Sequence, residues 1–143
     1  TINIDGRFMQ NLVSNNGDDL PGTNIGLAPG FEVTASDVTI RGLGINRFPG
    51  PGVFVLNGAN NVRVEDNAIG AGRPGVMTWP SNNMGVWLNY GTNHVITRNV
   101  LSSSEGSGIL LVGGSGTSIT ANRIGTSADG LTALPNLDNG TTM

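Results

Sequence analysis

The residues of this chain that could do chemistry are few, and their spacing constrains what each could do. Glu65 and Asp66 are adjacent carboxylates, the residue types that divide general acid and general base work in polysaccharide cleavage. Successive residues of a strand point to opposite faces, which is poor geometry for two carboxylates sharing one substrate. Arg41 lies 24 residues before Glu65, and Arg98 lies 32 residues after Asp66. Those intervals recur throughout the chain, so they predict exposed charge pairs on neighbouring strands rather than an acid–base pair. His94 is the only histidine and there is no cysteine. A lone histidine without Cys, His or acids beside it makes a weak zinc site, so neither a catalytic nor a metal-ligating set is expected. Asp18 and Asp19 lie in the turn-rich stretch NNGDDLPG, which lacks the spacing of an EF-hand loop. No cofactor is expected, with a Ca²⁺ ion at Asp18 or Asp19 the alternative.

Two further sets recur in columns. Asn67, Asn99 and Asn122 occupy equivalent positions. Asn tolerates the left-handed backbone of a bend, and its amide can bond both a neighbouring Asn and the backbone. A stacked structural ladder is the expectation, and a ligand role the alternative. Phe54, Trp87 and Leu110 each lie between apolar residues, Val53 and Val55, Val86 and Leu88, Ile109 and Leu111. If those flanking residues face a core, strand alternation turns Phe54, Trp87 and Leu110 outward in one stripe. Such a stripe serves as an interface, a platform for sugar rings or a surface under a loop. Trp79, in a long connecting segment, is placed to lie over it. Inverted faces would remove the stripe altogether.

The elements that must position these residues come from an internal repeat. Val38, Ile40 and Ile45 have counterparts at Val62, Val64 and Ile69, then at His94, Ile96 and Leu101, then at Thr117, Ile119 and Ile124. The first members are offset by 24, 32 and 23 residues. A second column opens on glycine at Gly30, Gly52, Gly85, Gly108 and Gly140, with offsets of 22, 33, 23 and 32. Two short strands per repeat, each alternating as in Val62-Arg63-Val64, describe a solenoid coil. Short and long connections alternate, so the two-coil spacing is nearly constant: 55 residues from Gly30 to Gly85 and 56 from Gly52 to Gly108. The pattern predicts one domain over 1–143 with a purely aliphatic core on Val38, Ile40, Val53, Val55, Val62, Val64, Val86, Leu88, Ile96, Ile109, Leu111 and Ile119.

Composition excludes several classes. Charged residues are 12% and glycines number 23, far from average usage in both respects. All the cations are Arg, scattered along a chain of net charge −3, so no basic stripe for nucleic acid exists. No apolar run approaches the roughly 20 residues that cross a bilayer as a helix.

The segments ASDVTIRGLGINRF, NNVRVEDNAIG and NRIGTSADGLTALPN resemble the repeats of bacterial secreted and surface right-handed parallel β-helix proteins, of pectin-lyase-like fold, and the opening TINIDG is similar to the start of such a repeat. The resemblance implies an all-β solenoid of about five coils, extracellular or on the cell surface. The fold hosts both scaffolds and polysaccharide-active enzymes. The acidic motif and His-Gly dipeptide of its glycosidases have no counterpart here, since His94 precedes Val95. A non-catalytic structural protein is therefore expected, with a polysaccharide-binding or polysaccharide-cleaving module as the alternative. Ile2 and Ile4 align with Val38 and Ile40, and Gly140, Thr141, Thr142 and Met143 begin a coil. One copy's last half-coil and the next copy's first would complete a rung, which predicts end-to-end stacking into a filament with an axial repeat of about 24 Å. Surface polysaccharide is the other partner considered.

Overall fold

The computed structural model describes residues 2–5, 28–70, 82–137 and 141–142, with backbone alone for 3–5, 141 and 142. Its strands fall into three parallel sheets, and the chain visits them in a fixed cyclic order. Sheet A holds β1 (Ile2–Asp5), β4 (Leu43–Asn46), β7 (Ala68–Ile69), β10 (Val100–Leu101) and β13 (Arg123–Ile124). Sheet B holds β2 (Phe31–Val33), β5 (Phe48–Val55), β8 (Asn82–Asn89), β11 (Ile109–Val112) and β14 (Thr141–Thr142). Sheet C holds β3 (Thr39–Arg41), β6 (Arg63–Glu65), β9 (Val95–Thr97) and β12 (Ser118–Thr120). Each strand pairs with its equivalent one coil away. The architecture is a parallel β-helix with three strands per coil. The two-strand repeat expected from the sequence is corrected here: the segment Val38 to Ile45 contains two strands, β3 and β4, separated by a bend at Gly42.

Bends make the coil, and the backbone marks them. Asp37, Asn61, Asn93 and Gly116 have φ of 62°, 55°, 58° and 68° ahead of sheet C. Gly42, Asp66, Arg98 and Ala121 have φ of 72°, 57°, 55° and 54° between sheets C and A. Arg47, Gly70, Ser103 and Gly125 follow sheet A at 64°, 75°, 61° and 77°. A left-handed residue turns the chain sharply without a long loop, and Gly, Asn and Asp adopt that conformation at least cost. The left-handed member of the Asn column is therefore the residue before each asparagine, not the asparagine itself.

The interior is filled from all three sheets. Val53, Val55, Val86, Leu88 and Ile109 come from sheet B, Ile40, Val64 and Ile96 from sheet C, and Ile45, Ile69 and Leu101 from sheet A. The expectation of a purely aliphatic core is corrected. Phe48 is buried with them, as are His94, Asn67, Asn82 and Asn99. Val38, Leu111 and Ile119 are only partly buried, packed against the cluster from its margin. Polar residues enter because a bend rotates peptide groups away from the interstrand direction, and buried peptide groups need partners.

Candidate functional site

The corner between sheets C and A carries the two candidate carboxylates. Glu65 is the last residue of β6 and Asp66 is the left-handed residue that follows it. The bend cancels strand alternation, so both side chains reach Arg98, one coil away. Arg98 Nε donates to Asp66 Oδ1 at 2.7 Å, and Arg98 Nη2 donates to Glu65 Oε2 at 2.8 Å. Arg41 Nε donates to Asp66 Oδ2 at 2.8 Å from the preceding coil. Arg63 Nε donates to Glu65 Oε1 at 2.8 Å from within the same strand. The sequence expectation is corrected in two respects. Arg41 stands in register with Glu65 but bonds Asp66, and Glu65 is buried, at 8% exposure, rather than an exposed ladder member. Arg63 is a further partner of Glu65, and its signal in the sequence is the spacing, since residues two apart in a strand share a face.

Electrostatics follow the geometry. The Arg63 guanidinium holds the Glu65 carboxyl below its ordinary value, with Arg98 and Arg41 acting in the same direction and burial opposing them. Arg98 holds Asp66 down in the same way, assisted by Arg41. Arg98 is in turn held above its usual value by Asp66 and then Glu65. A general acid needs the opposite shift, toward neutrality. The arrangement clamps charge between three successive coils and keeps both carboxylates ionised.

His94 lies fully buried. The Val62 N–H donates to its Nδ1 at 3.3 Å, and its Nε2 lies 3.1 Å from the Tyr90 carbonyl. A ring nitrogen that accepts from an N–H carries no proton, so Nε2 carries it and the ring is the neutral tautomer. Both nitrogens are used to satisfy backbone at the corner that enters sheet C.

The Asn67, Asn99 and Asn122 column lies at the corner between sheets C and A. Asn67 Nδ2 donates to the Ile40 carbonyl at 2.9 Å and to Asn99 Oδ1 at 3.1 Å. Asn99 Nδ2 donates to the Val64 carbonyl at 2.8 Å and to Asn122 Oδ1 at 3.0 Å. Asn122 Nδ2 reaches the Ile96 carbonyl at 2.8 Å. Sequence reasoning missed two further asparagines that do the same at the corner after sheet A. Asn82 accepts from Phe48 N and donates to the Ile45 carbonyl. Asn136 accepts from Ser104 N and donates to the Leu101 carbonyl. Their separation of 54 residues, close to the two-coil period, is the signal that could have found them.

On the outer face of sheet B, Phe54 and Leu110 stand in register on either side of Trp87. The Phe54 and Trp87 ring centroids are 4.6 Å apart, with planes tilted by 32°. All three side chains are half-buried. Glu32 stands in register beyond Phe54 at one end of the stripe, and Thr142 pairs beyond Leu110 at the other. Trp79 lies outside the described residues, as do Asp18, Asp19, Gly140 and Met143.

The chain-end alignment is also corrected. Ile2 pairs with Leu43 and Ile4 with Ile45 in sheet A, not with Val38 and Ile40 in sheet C. Ile2 is 70% exposed. Thr141 and Thr142 pair with Ile109 and Leu110 in sheet B.

Among the described residues no three of His, Cys, Asp and Glu come together as a metal site, and no helix is long and apolar enough to cross a membrane. Against known proteins, the model of the family described as a right handed beta helix region matches residues 29–141. No curated protein matches the chain, and no solved structure does.

Proposed function

We propose, from the premise that the chain belongs to the right-handed β-helix family, that it acts as a non-catalytic structural protein of the cell exterior, a rod of stacked coils that associates end to end with further copies. The observation that carries this reading is the use made of the ionisable side chains. Glu65 and Asp66 are consumed by Arg41, Arg63 and Arg98, and His94 is consumed by the backbone of its own corner. Groups invested in holding coils together are not poised to exchange protons with a substrate. Stacking is supported by the repeat itself: equivalent strands pair in parallel from coil to coil in all three sheets, and a further copy extends the same ladder.

Electron microscopy and solution scattering across a concentration series test the reading. Rods that lengthen with concentration are the expected result. A monomer whose mass is independent of concentration overturns the stacking.

A second reading, a polysaccharide-binding module, is favoured by the outward Phe54–Trp87 stack, since sugar rings lie on aromatic faces. Titration with neutral and acidic polysaccharides, read by Trp fluorescence in the parent and in Trp87→Ala, separates the two. A saturable change lost in Trp87→Ala supports binding, and no change in the parent removes it.

A further inference from the structure

We propose that Asn57 is a site of spontaneous deamidation in the folded protein, selected by the turn that joins sheet B to sheet C in the second coil. Asn57 and Gly58 are both exposed, and they form the middle of a turn closed by the Ala59 N–H on the Leu56 carbonyl at 3.2 Å. Gly58 has φ of 103°, and a Cβ built there would meet nothing within 4 Å. The reaction needs two free groups. The Gly58 amide nitrogen attacks Asn57 Cγ, the Cγ–Nδ2 bond breaks, and the side-chain nitrogen leaves as ammonia with the proton from Gly58. Water then opens the five-membered imide at either carbonyl, giving aspartate or isoaspartate. Glycine removes the side chain that would otherwise crowd the attack.

The neighbouring asparagines show what protection looks like. For Asn60 the attacking nitrogen would be that of Asn61, whose N–H is bonded to the Thr92 carbonyl at 2.9 Å. The Asn60 side-chain oxygen also accepts from Thr92 N and Thr92 Oγ1, each at 2.9 Å. For Asn61 the attacking nitrogen would be that of Val62, which is bonded to His94 Nδ1 at 3.3 Å. The Asn61 amide is itself held by Asp37 Oδ1 at 2.9 Å. In the core ladder both amide hydrogens of Asn67 and of Asn99 are engaged. At Asn57, by contrast, neither the side-chain amide nor the Gly58 N–H has a hydrogen bond among the described residues. Asn57 is also the one asparagine followed by glycine among the described residues.

The product changes the coil. Either product adds a negative charge to the turn, and isoaspartate routes the main chain through one extra carbon. That extra length strains the Leu56 N–H bond to the Val33 carbonyl and the turn bond of Ala59.

Trypsin releases peptide 48–63, which contains Asn57, Asn60 and Asn61 together. The native protein is held at mildly alkaline pH, sampled over weeks, and the peptide fragmented to locate the mass gained when amide becomes carboxyl. Asn57 is expected to convert about tenfold faster than Asn60 or Asn61, with isoaspartate detected by enzymatic methyl transfer, and Asn57→Gln is expected to remove the signal. Conversion of Asn57 no faster than that of Asn60 and Asn61 in the native protein overturns the proposal. So does retention of the Asn57 amide in the native protein while the same chain, unfolded in denaturant, loses it.

Discussion

Asn99 Oδ1 accepts two hydrogen bonds from Asn67, one from its backbone N–H at 3.0 Å and one from its side-chain Nδ2 at 3.1 Å. A single carboxamide oxygen thus closes a backbone gap and a side-chain gap at once, one coil away from its own residue. Asn99 passes the same demand on to Asn122, so the column is a chain of mutual dependence.

Asn99→Ala is expected to destabilise by about 3 kcal/mol, because it orphans the Asn67 N–H and the Val64 carbonyl in the interior. Asn99→Asp keeps the shape but loses both donors and sets a carboxylate against carbonyl oxygens, so it is expected to cost more. Denaturant unfolding of the two variants checks the order. A neutral Asn99→Asp would show that the donors do not matter.

His94→Ala is expected to cost about 3 kcal/mol, through the lost buried ring and the orphaned Val62 N–H and Tyr90 carbonyl. Nitrogen NMR gives an independent check. It should report one protonated ring nitrogen, Nε2, and one unprotonated nitrogen, Nδ1. The reverse assignment would contradict the hydrogen bond from Val62.

The Glu65 and Asp66 carboxyls are held below their ordinary values by Arg63 and Arg98 respectively. A depressed folded value contributes stability that is present above the unfolded value and is lost as pH falls through the folded one. Arg98→Met is therefore expected to melt below the parent at neutral pH. The gap should narrow as the pH drops below about 4, where carboxylates begin to protonate. Melting curves across pH decide it: a gap that persists unchanged in acid would assign the loss to packing instead.

Gly85→Ala is expected to be far more damaging than its single methyl suggests. A Cβ at Gly85 would run into the backbone carbonyl of Gly108 in the next coil, with Leu101 Cδ2 at 3.0 Å on the other side. Backbone of a neighbouring strand cannot give way as a side chain can, and overpacking commonly costs about 1–3 kcal/mol. At Gly42 the space is open and the cost comes from φ of 72°, so Gly42→Asn is expected to be tolerated. Comparable melting of Gly85→Ala and the parent would refute the close approach.

Ile96 is fully buried between its register partners Val64 and Ile119, so Ile96→Asp buries an uncompensated charge and is expected to abolish folding. A soluble, cooperatively melting Ile96→Asp protein would mean that β9 faces the other way.

Much of this was legible in the residue order alone. Apolar residues at Ile40, Val64, Ile96 and Ile119, separated by 24, 32 and 23 positions, demand parallel strands stacked coil on coil, because period-2 alternation and a fixed return interval admit little else. The Asn column and the Phe54–Trp87–Leu110 row follow from the same intervals. Tertiary structure decided the corners. Arg98 and Ala121 take the left-handed conformation although neither residue type favours it, because the stacked coils above impose the bend and local preference is outweighed. That bend, invisible in composition, gives three strands per coil instead of two and brings Glu65 and Asp66 to the same guanidinium. The other two bends of the coil expose the peptide groups that draw His94, Asn82 and Asn136 into the interior. Periodicity along the chain reports which residues share a column, whereas the direction of a side chain at a corner depends on one dihedral angle, set by contacts with the next coil.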